Sequence, residues 1–135
     1  EAELEYTCRG GLTSIQECNY HFYLSEPTND LSSHQANFYG NYPAGSAPQG
    51  EYLKRPSVVG SYESNALGIH DMHGNVWERC EDLISDSYRV YRGGGWSNSG
   101  ESCRASYRRW SHPDARYHYV GFRLAAVLSR PGTGQ

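Results

Sequence analysis

The chain has 135 residues, enough for one domain around one core. A net charge of −3, 37% hydrophobic content, 15 glycines and 12 tyrosines fit a loop-rich globular domain and argue against a helical bundle. No apolar run approaches the roughly 18 residues that a membrane span needs. The acidic opening, with Glu1, Glu3 and Glu5, lacks the basic start of a signal peptide, and no compartment is assigned.

In chain order, residues 1–9 are predicted as a short helix. Leu4 and Cys8 share a face at i, i+4, and Gly10-Gly11 end it. Residues 12–55 show no sustained period; Pro43-Ala44-Gly45 and Pro48-Gln49-Gly50 mark them as loop. Long loops in compact domains need pins, and metal ions are a common one. Val58-Val59 is predicted as a short strand. Residues 75–83 are predicted as a helix with Val76, Trp77, Cys80 and Leu83 or Ile84 facing inward. Residues 89–92 read as a strand stopped by Gly93-Gly94-Gly95, where close backbone approach or positive φ is expected. Residues 120–128 are the clearest strand candidate and residues 129–135 a loose tail.

Residues 89–123 carry seven arginines against Glu101 and Asp114. They are spread through a Gly- and Tyr-rich stretch, so they are expected to hold loops by hydrogen bonds, and nucleic acid is not the expected partner. Cys8, Cys18, Cys80 and Cys103 form no CxxC pair, which argues against a structural zinc site; two disulfides are arithmetically open. His70 and His73 form an HxxH pair, read as a hydrogen-bonded pair in a turn because no third histidine or cysteine follows nearby.

Several segments together resemble the formylglycine-generating-enzyme, or sulfatase-modifying-factor, family. They are the opening residues 1–11, the stretch 65–78 (Asn-Ala-Leu-Gly-Ile-His-Asp-Met-His-Gly-Asn-Val-Trp-Glu), Arg92-Gly93-Gly94-Gly95-Trp96, Cys103-Arg104, Pro113-Asp114 and Gly121-Phe122-Arg123, in family order and spacing. The resemblance implies an α+β, loop-rich, C-type lectin-like fold with short helices and a small antiparallel sheet. It makes residues 1–128 the C-terminal part of one such domain. The N-terminal portion is then absent from this chain or supplied by another.

Calcium takes six to eight oxygens, backbone carbonyls included, in irregular geometry. The resemblance implies one calcium site at Asp71, Gly74, Val76 and Glu78, and a second at Asn37, Phe38, Glu51 and Leu53. The competing reading is that Asp71 caps a helix and Glu78 is solvated. The family's oxidases hold copper(I) on two thiolates, which suit a soft ion. Their pattern falls on Asn98 and Cys103 here, with Gly95 where a serine stands, so only Cys103 is retained and copper is not expected. A family cysteine that pairs with the opening helix falls on Arg108. Cys80 and Cys103 are left as a disulfide, a thiol pair or separate buried thiols.

Between the family-like residues of 97–120 stand Ser97, Asn98, Ser99, Tyr107, Arg109, Trp110, Ser111, His112, Arg116, Tyr117, His118 and Tyr119. Tyr and Trp offer rigid contact area, and Ser and Asn adaptable hydrogen bonds, the chemistry of recognition loops. This alternation is similar to the variable proteins of diversity-generating retroelements, which randomise adenine-rich codons. Tyr107, Arg109, Trp110, Tyr117, His118 and Tyr119 are expected to form one exposed surface. Arg104, Asp114 and Arg123 are expected to point inward, to backbone carbonyls or each other, and Phe122 into the core. Two function classes stay open. The favoured one is a module binding a protein or small-molecule ligand. The alternative is an enzyme of the family, formylglycine-generating or ergothioneine-synthase-like, completed by an N-terminal portion.

Overall fold

The computed structural model describes residues 1–126. Helix α1 (Ala2–Cys8) has Glu3 and Glu5 in its first turn, where carboxylates suit the helix dipole. Gly10 and Gly11 then take φ of 67° and 83° and turn the chain away. A two-stranded sheet pairs β1 (Phe22–Tyr23) with β2 (Pro27–Thr28). A four-stranded sheet has the order β5-β4-β3-β6, from β3 (Trp77–Ser85), β4 (Tyr88–Arg92), β5 (Arg109–Ser111) and β6 (Val120–Gly121). A 3-10 turn spans Gly100–Cys103, and the rest is loop.

The stretch predicted as a helix at 75–83 is a strand. Gly74 and Asn75 both have positive φ, 86° and 66°, so the chain enters Trp77 from a left-handed turn that a helix cannot begin with. β3 then pairs antiparallel with β4 and parallel with β6, contacts between segments far apart in sequence. Trp77, Glu78 and Cys80 are buried, whereas Leu83 and Ile84 are exposed on a projecting hairpin. The sheet is therefore mixed rather than antiparallel throughout. Val58 and Val59, 79% and 80% exposed, form no strand. The strand predicted at 120–128 shrinks to two residues, followed by irregular chain to residue 126; its end and the tail at 129–135 lie outside the described residues.

Two apolar clusters make the core. One gathers Phe22, Leu31, Ala36, Phe38, Ala44 and Cys103, the other Cys8, Tyr23, Met72 and Ala105. His73 joins them. Its Nε2 accepts from the Tyr23 N–H at 2.9 Å, so Nδ1 carries the proton and donates to the Cys103 carbonyl at 2.7 Å. Burial pulls its pKa down to about 4, which keeps the ring neutral. His73 is thus a core histidine. His70 is exposed and bonded to the Tyr62 carbonyl, so the HxxH pair is two separate structural contacts.

Arg92 closes the arrangement. Its guanidinium, 3% exposed, donates to the carbonyls of Ala105 (2.9 Å), Ser106 (3.0 Å) and Tyr107 (3.1 Å) and to the Glu5 carboxylate on α1. This is the loop-holding role expected of the arginine-rich stretch. Arg92→Met removes every one of these donors and leaves buried carbonyls without partners, so it should cost about 3–5 kcal/mol. Urea unfolding measures this; a loss under about 1 kcal/mol would contradict the role given to Arg92.

Candidate functional site

The segment 97–120 lies against the four-stranded sheet. Arg109 and Ser111 sit on β5, opposite Tyr91 and Arg89 of β4. The Arg109 guanidinium lies over the Trp77 ring at 5.8 Å and the Tyr119 ring at 6.0 Å. Tyr119 stacks on Tyr117 at 5.0 Å with 9° between planes, and the Tyr117 hydroxyl lies 3.3 Å from Ser111 Oγ. Together with Tyr91 and Trp110 these groups line a half-open cleft of about 60 Å³. Trp110 (57%) and Tyr117 (42%) are exposed, as are Arg109 and His118, whereas Tyr107 and Tyr119 are half-buried. The expected surface therefore exists, with two of its rings turned partly into the sheet.

The remaining predicted residues divide. Asn98 Oδ1 accepts the Trp77 indole N–H at 2.8 Å, so the residue at the copper position fixes a wall of the cleft. This contact joins residues 21 apart, and local pattern gave no signal of it. Ser97 and Ser99 are half-buried, and Ser99 Oγ lies 3.4 Å from Ser102 Oγ. His112 is exposed, 3.5 Å from Asp114. His118 packs on Trp96 and Tyr119 within a ladder of rings running Tyr42, Tyr39, Tyr52, Trp96, His118, Tyr119, Tyr117, with centroids 4.1–6.2 Å apart.

Three inward expectations need correction. Asp114 is exposed, its side chain at 91%, because it tips the turn after β5. Phe122 is 75% exposed because the chain leaves the sheet after Gly121. Arg104 does reach a backbone carbonyl as expected, that of Glu101 at 3.1 Å, but at the surface rather than inward. Arg123 behaves as expected, donating to the His70 carbonyl (2.9 Å) and to both Glu78 oxygens (2.6–3.0 Å).

The first four calcium positions line one open groove of about 510 Å³, with Phe122 and Arg123 on its rim. The Gly74 and Val76 carbonyls accept none of the backbone hydrogen bonds of the described loops. Asp71 gives one oxygen to the Gly60 N–H at 2.7 Å, and Glu78 is held by Arg123, so a cation here would compete with an arginine. The two segments of the second set lie side by side. The Gly50 N–H donates to the Gly40 carbonyl at 3.0 Å, joining the segment after Asn37 and Phe38 to the one holding Glu51 and Leu53. Asn37 is buried and its Oδ1 has no hydrogen-bond partner. An orphaned buried acceptor is what a cation ligand looks like before the cation is added.

All four cysteines are free. Cys103 is fully buried within the first apolar cluster, while Cys80 lies on β3. Burial pushes the Cys103 thiol up to about 12, so it is not a ready copper thiolate. At the position of the missing disulfide, Arg108 instead donates to both Glu1 carboxylate oxygens, at 2.6 and 2.8 Å.

Residues 1–128 match the model of the sulfatase-modifying factor enzyme 1-like domain family. A hercynine oxygenase of Mycolicibacterium thermoresistibile is 32% identical over 101 residues, covering 56% of this chain and 23% of its own. The formylglycine-generating enzyme of Mus musculus is 28% identical over 146 residues, covering 93% of this chain and 38% of its own. Variable protein 1 of Treponema denticola has the same fold, with a TM-score of 0.67 at 24% identity over 90% of this chain and 44% of that one. The chain spans less than half the length of each of these proteins.

Burial orders the thiols. Cys18 is half-buried, whereas Cys8, Cys80 and Cys103 are buried, with burial raising the pKa of each. Native-state alkylation followed by mass spectrometry should label Cys18 first and Cys103 roughly tenfold or more slowly. Equal labelling rates would show that the first apolar cluster is open to solvent.

Proposed function

Because the chain belongs to the family of sulfatase-modifying factor enzyme 1-like domains, we propose that it serves as a calcium-stabilised binding module of that family. The observation that carries the reading is the aromatic cleft. Arg109, Trp110 and Tyr117 stand exposed on one side, and the family-like residues beneath them hold the loops. Exposed aromatic rings in such number are costly unless a partner covers them. The retroelement-diversified version draws support from the alternation of scaffold and exposed residues, and from a neighbour in the fold that is itself a variable protein. A reverse-transcriptase gene and a near-copy of the 97–120 coding region beside this gene would decide it.

The enzyme reading draws on the names of relatives, one an oxygenase. It would need an N-terminal portion to complete a site, since this chain offers Asn98 and a buried thiol where two thiolates are wanted. For calcium, the acidic pair and free carbonyls at 71–78 and the orphaned Asn37 oxygen supply hard oxygen donors. The ion would pin two long loops. Bound calcium would also take Glu78 from Arg123 or share it.

Two measurements test the proposal. Chelation should lower the thermal midpoint by about 5 °C or more, and Asn37→Ala or Asp71→Ala should reduce that response. An unchanged midpoint, with no metal copurifying, would remove calcium from the reading. Trp110→Ala, Tyr117→Ala and His118→Ala should each change stability by less than about 1 kcal/mol, as surface positions do. Losses of about 3 kcal/mol or more at these sites would make the surface structural and end the binding-module reading.

A further inference from the structure

One face of the sheet builds the cleft. Trp77 stands two residues before Arg79 on β3, Arg79 is paired with Tyr91 of β4, and Tyr91 with Arg109 of β5. Paired residues, and residues two apart on a strand, project from the same face, so Trp77, Tyr91 and Arg109 stand side by side. Val120 is paired with Trp77, and Tyr117 and Tyr119 come just before it in the chain. The lining is therefore mainly aromatic carbon. Its polar groups are largely committed. The Trp77 N–H is taken by Asn98 at 2.8 Å, and the Tyr117 hydroxyl lies 3.3 Å from Ser111 Oγ. The Tyr91 hydroxyl is buried and does not open to the cleft. A polar guest would lose water and find few partners inside.

Size narrows the guest further. A water needs about 10–15 Å³ of such space, so the cleft's 60 Å³ takes about four to six heavy atoms. A valine, leucine, isoleucine or methionine side chain with its Cα has that size; a phenylalanine ring with its methylene exceeds it. A cationic guest is disfavoured, because Arg109 already lies over the Trp77 and Tyr119 faces that would hold it. No acidic residue lines the cleft, and among the described residues Arg109 has no carboxylate within ion-pair distance. Its exposed guanidinium is left for a carboxylate next to the guest, at the surface. The exposed Trp110 and Tyr117 extend the contact beyond the cleft, which suits a protein surface rather than a free small molecule.

We infer that this cleft seats one short aliphatic side chain of a partner protein, of valine to leucine size, with an acidic neighbour of that residue on Arg109. The inference rests on the binding-module reading and names the partner's anchor.

The test is an NMR titration of the isotope-labelled chain in calcium buffer with the capped peptide acetyl-Asp-Leu-Asp-amide. Versions with Ala or Phe for Leu, or Asn for both Asp, are titrated beside it. The Leu peptide should shift the Trp77 and Trp110 indole signals and bind roughly tenfold more tightly than the Ala or Phe version. The Asn version should bind roughly threefold more weakly, because it offers Arg109 no charge. Arg109→Gln should erase that difference and keep the preference for Leu over Ala. Ser111→Leu, which fills the cleft from β5, should abolish the preference for Leu with the thermal midpoint retained. N-acetylleucine binding as tightly as the Leu peptide would assign the cleft to a free small molecule and overturn the partner-protein anchor. So would an Ala, Phe or Asn version as tight as the Leu peptide, or no binding of any probe at millimolar concentration. A folded Ser111→Leu protein that still prefers Leu would do the same. None of these outcomes touches the binding-module reading, whose failure registers instead as destabilisation by the surface alanine substitutions.

Discussion

The fold depends on one buried guanidinium. Arg92 ends β4 and reaches in three directions at once: to α1 through Glu5, to the carbonyls of residues 105–107, and along the strand it terminates. A planar group with five donors in fixed directions can satisfy that many acceptors; an ammonium on a flexible stem cannot. The glycines that follow are part of the same device. A side chain on Gly94 would bring Cβ within 2.5 Å of Cys103 Sγ, so the turn after Arg92 closes only because it carries none. The segment 97–120 therefore begins from a rigid base, although little of it is regular structure.

The turn at 71–75 does two jobs with adjacent residues. Asp71, Gly74 and Asn75 all have positive φ, a conformation that Asp and Asn tolerate better than most residues. The result sends His73 into the core and Asp71 into the groove. Local hydrogen bonds offset the cost of this backbone. The Asn75 amide oxygen accepts from Ser57 and Asn37, and Asp71 accepts from Gly60. Replacing either residue would thus disturb both the core contact and the groove.

What was legible in the sequence followed from local chemistry. α1 was readable from its i, i+4 pair and its glycine stop, and β4 from its glycine-bounded run. β3 was misread because Val76, Trp77, Cys80 and Leu83 fit a helical period. The deciding facts, a left-handed Asn75 and pairing to strands on both sides, are set by the fold. The family resemblance supplied the expected ligand positions; the first four line one groove, and the two segments that carry the second four are hydrogen-bonded to each other. The tasks of Asn98 and His73 were hidden because each acts on a segment distant in sequence. Phe122 was misassigned for a simpler reason: hydrophobic type predicts burial only where the chain stays in the sheet, and here it leaves.

Scaffold and surface meet in the ladder of rings. Tyr39 follows Phe38, and Tyr52 lies between Glu51 and Leu53, so two rungs sit directly on the segments of the second calcium set. From there the rings pass through Trp96 and His118 to Tyr119 and Tyr117, the cleft wall. Three of the six ring contacts are stacked and three are tilted or edge-on, both favourable aromatic arrangements. The exposed Arg109, Trp110 and Tyr117 thus stand on a packed wall, although the scaffold has only short strands to offer.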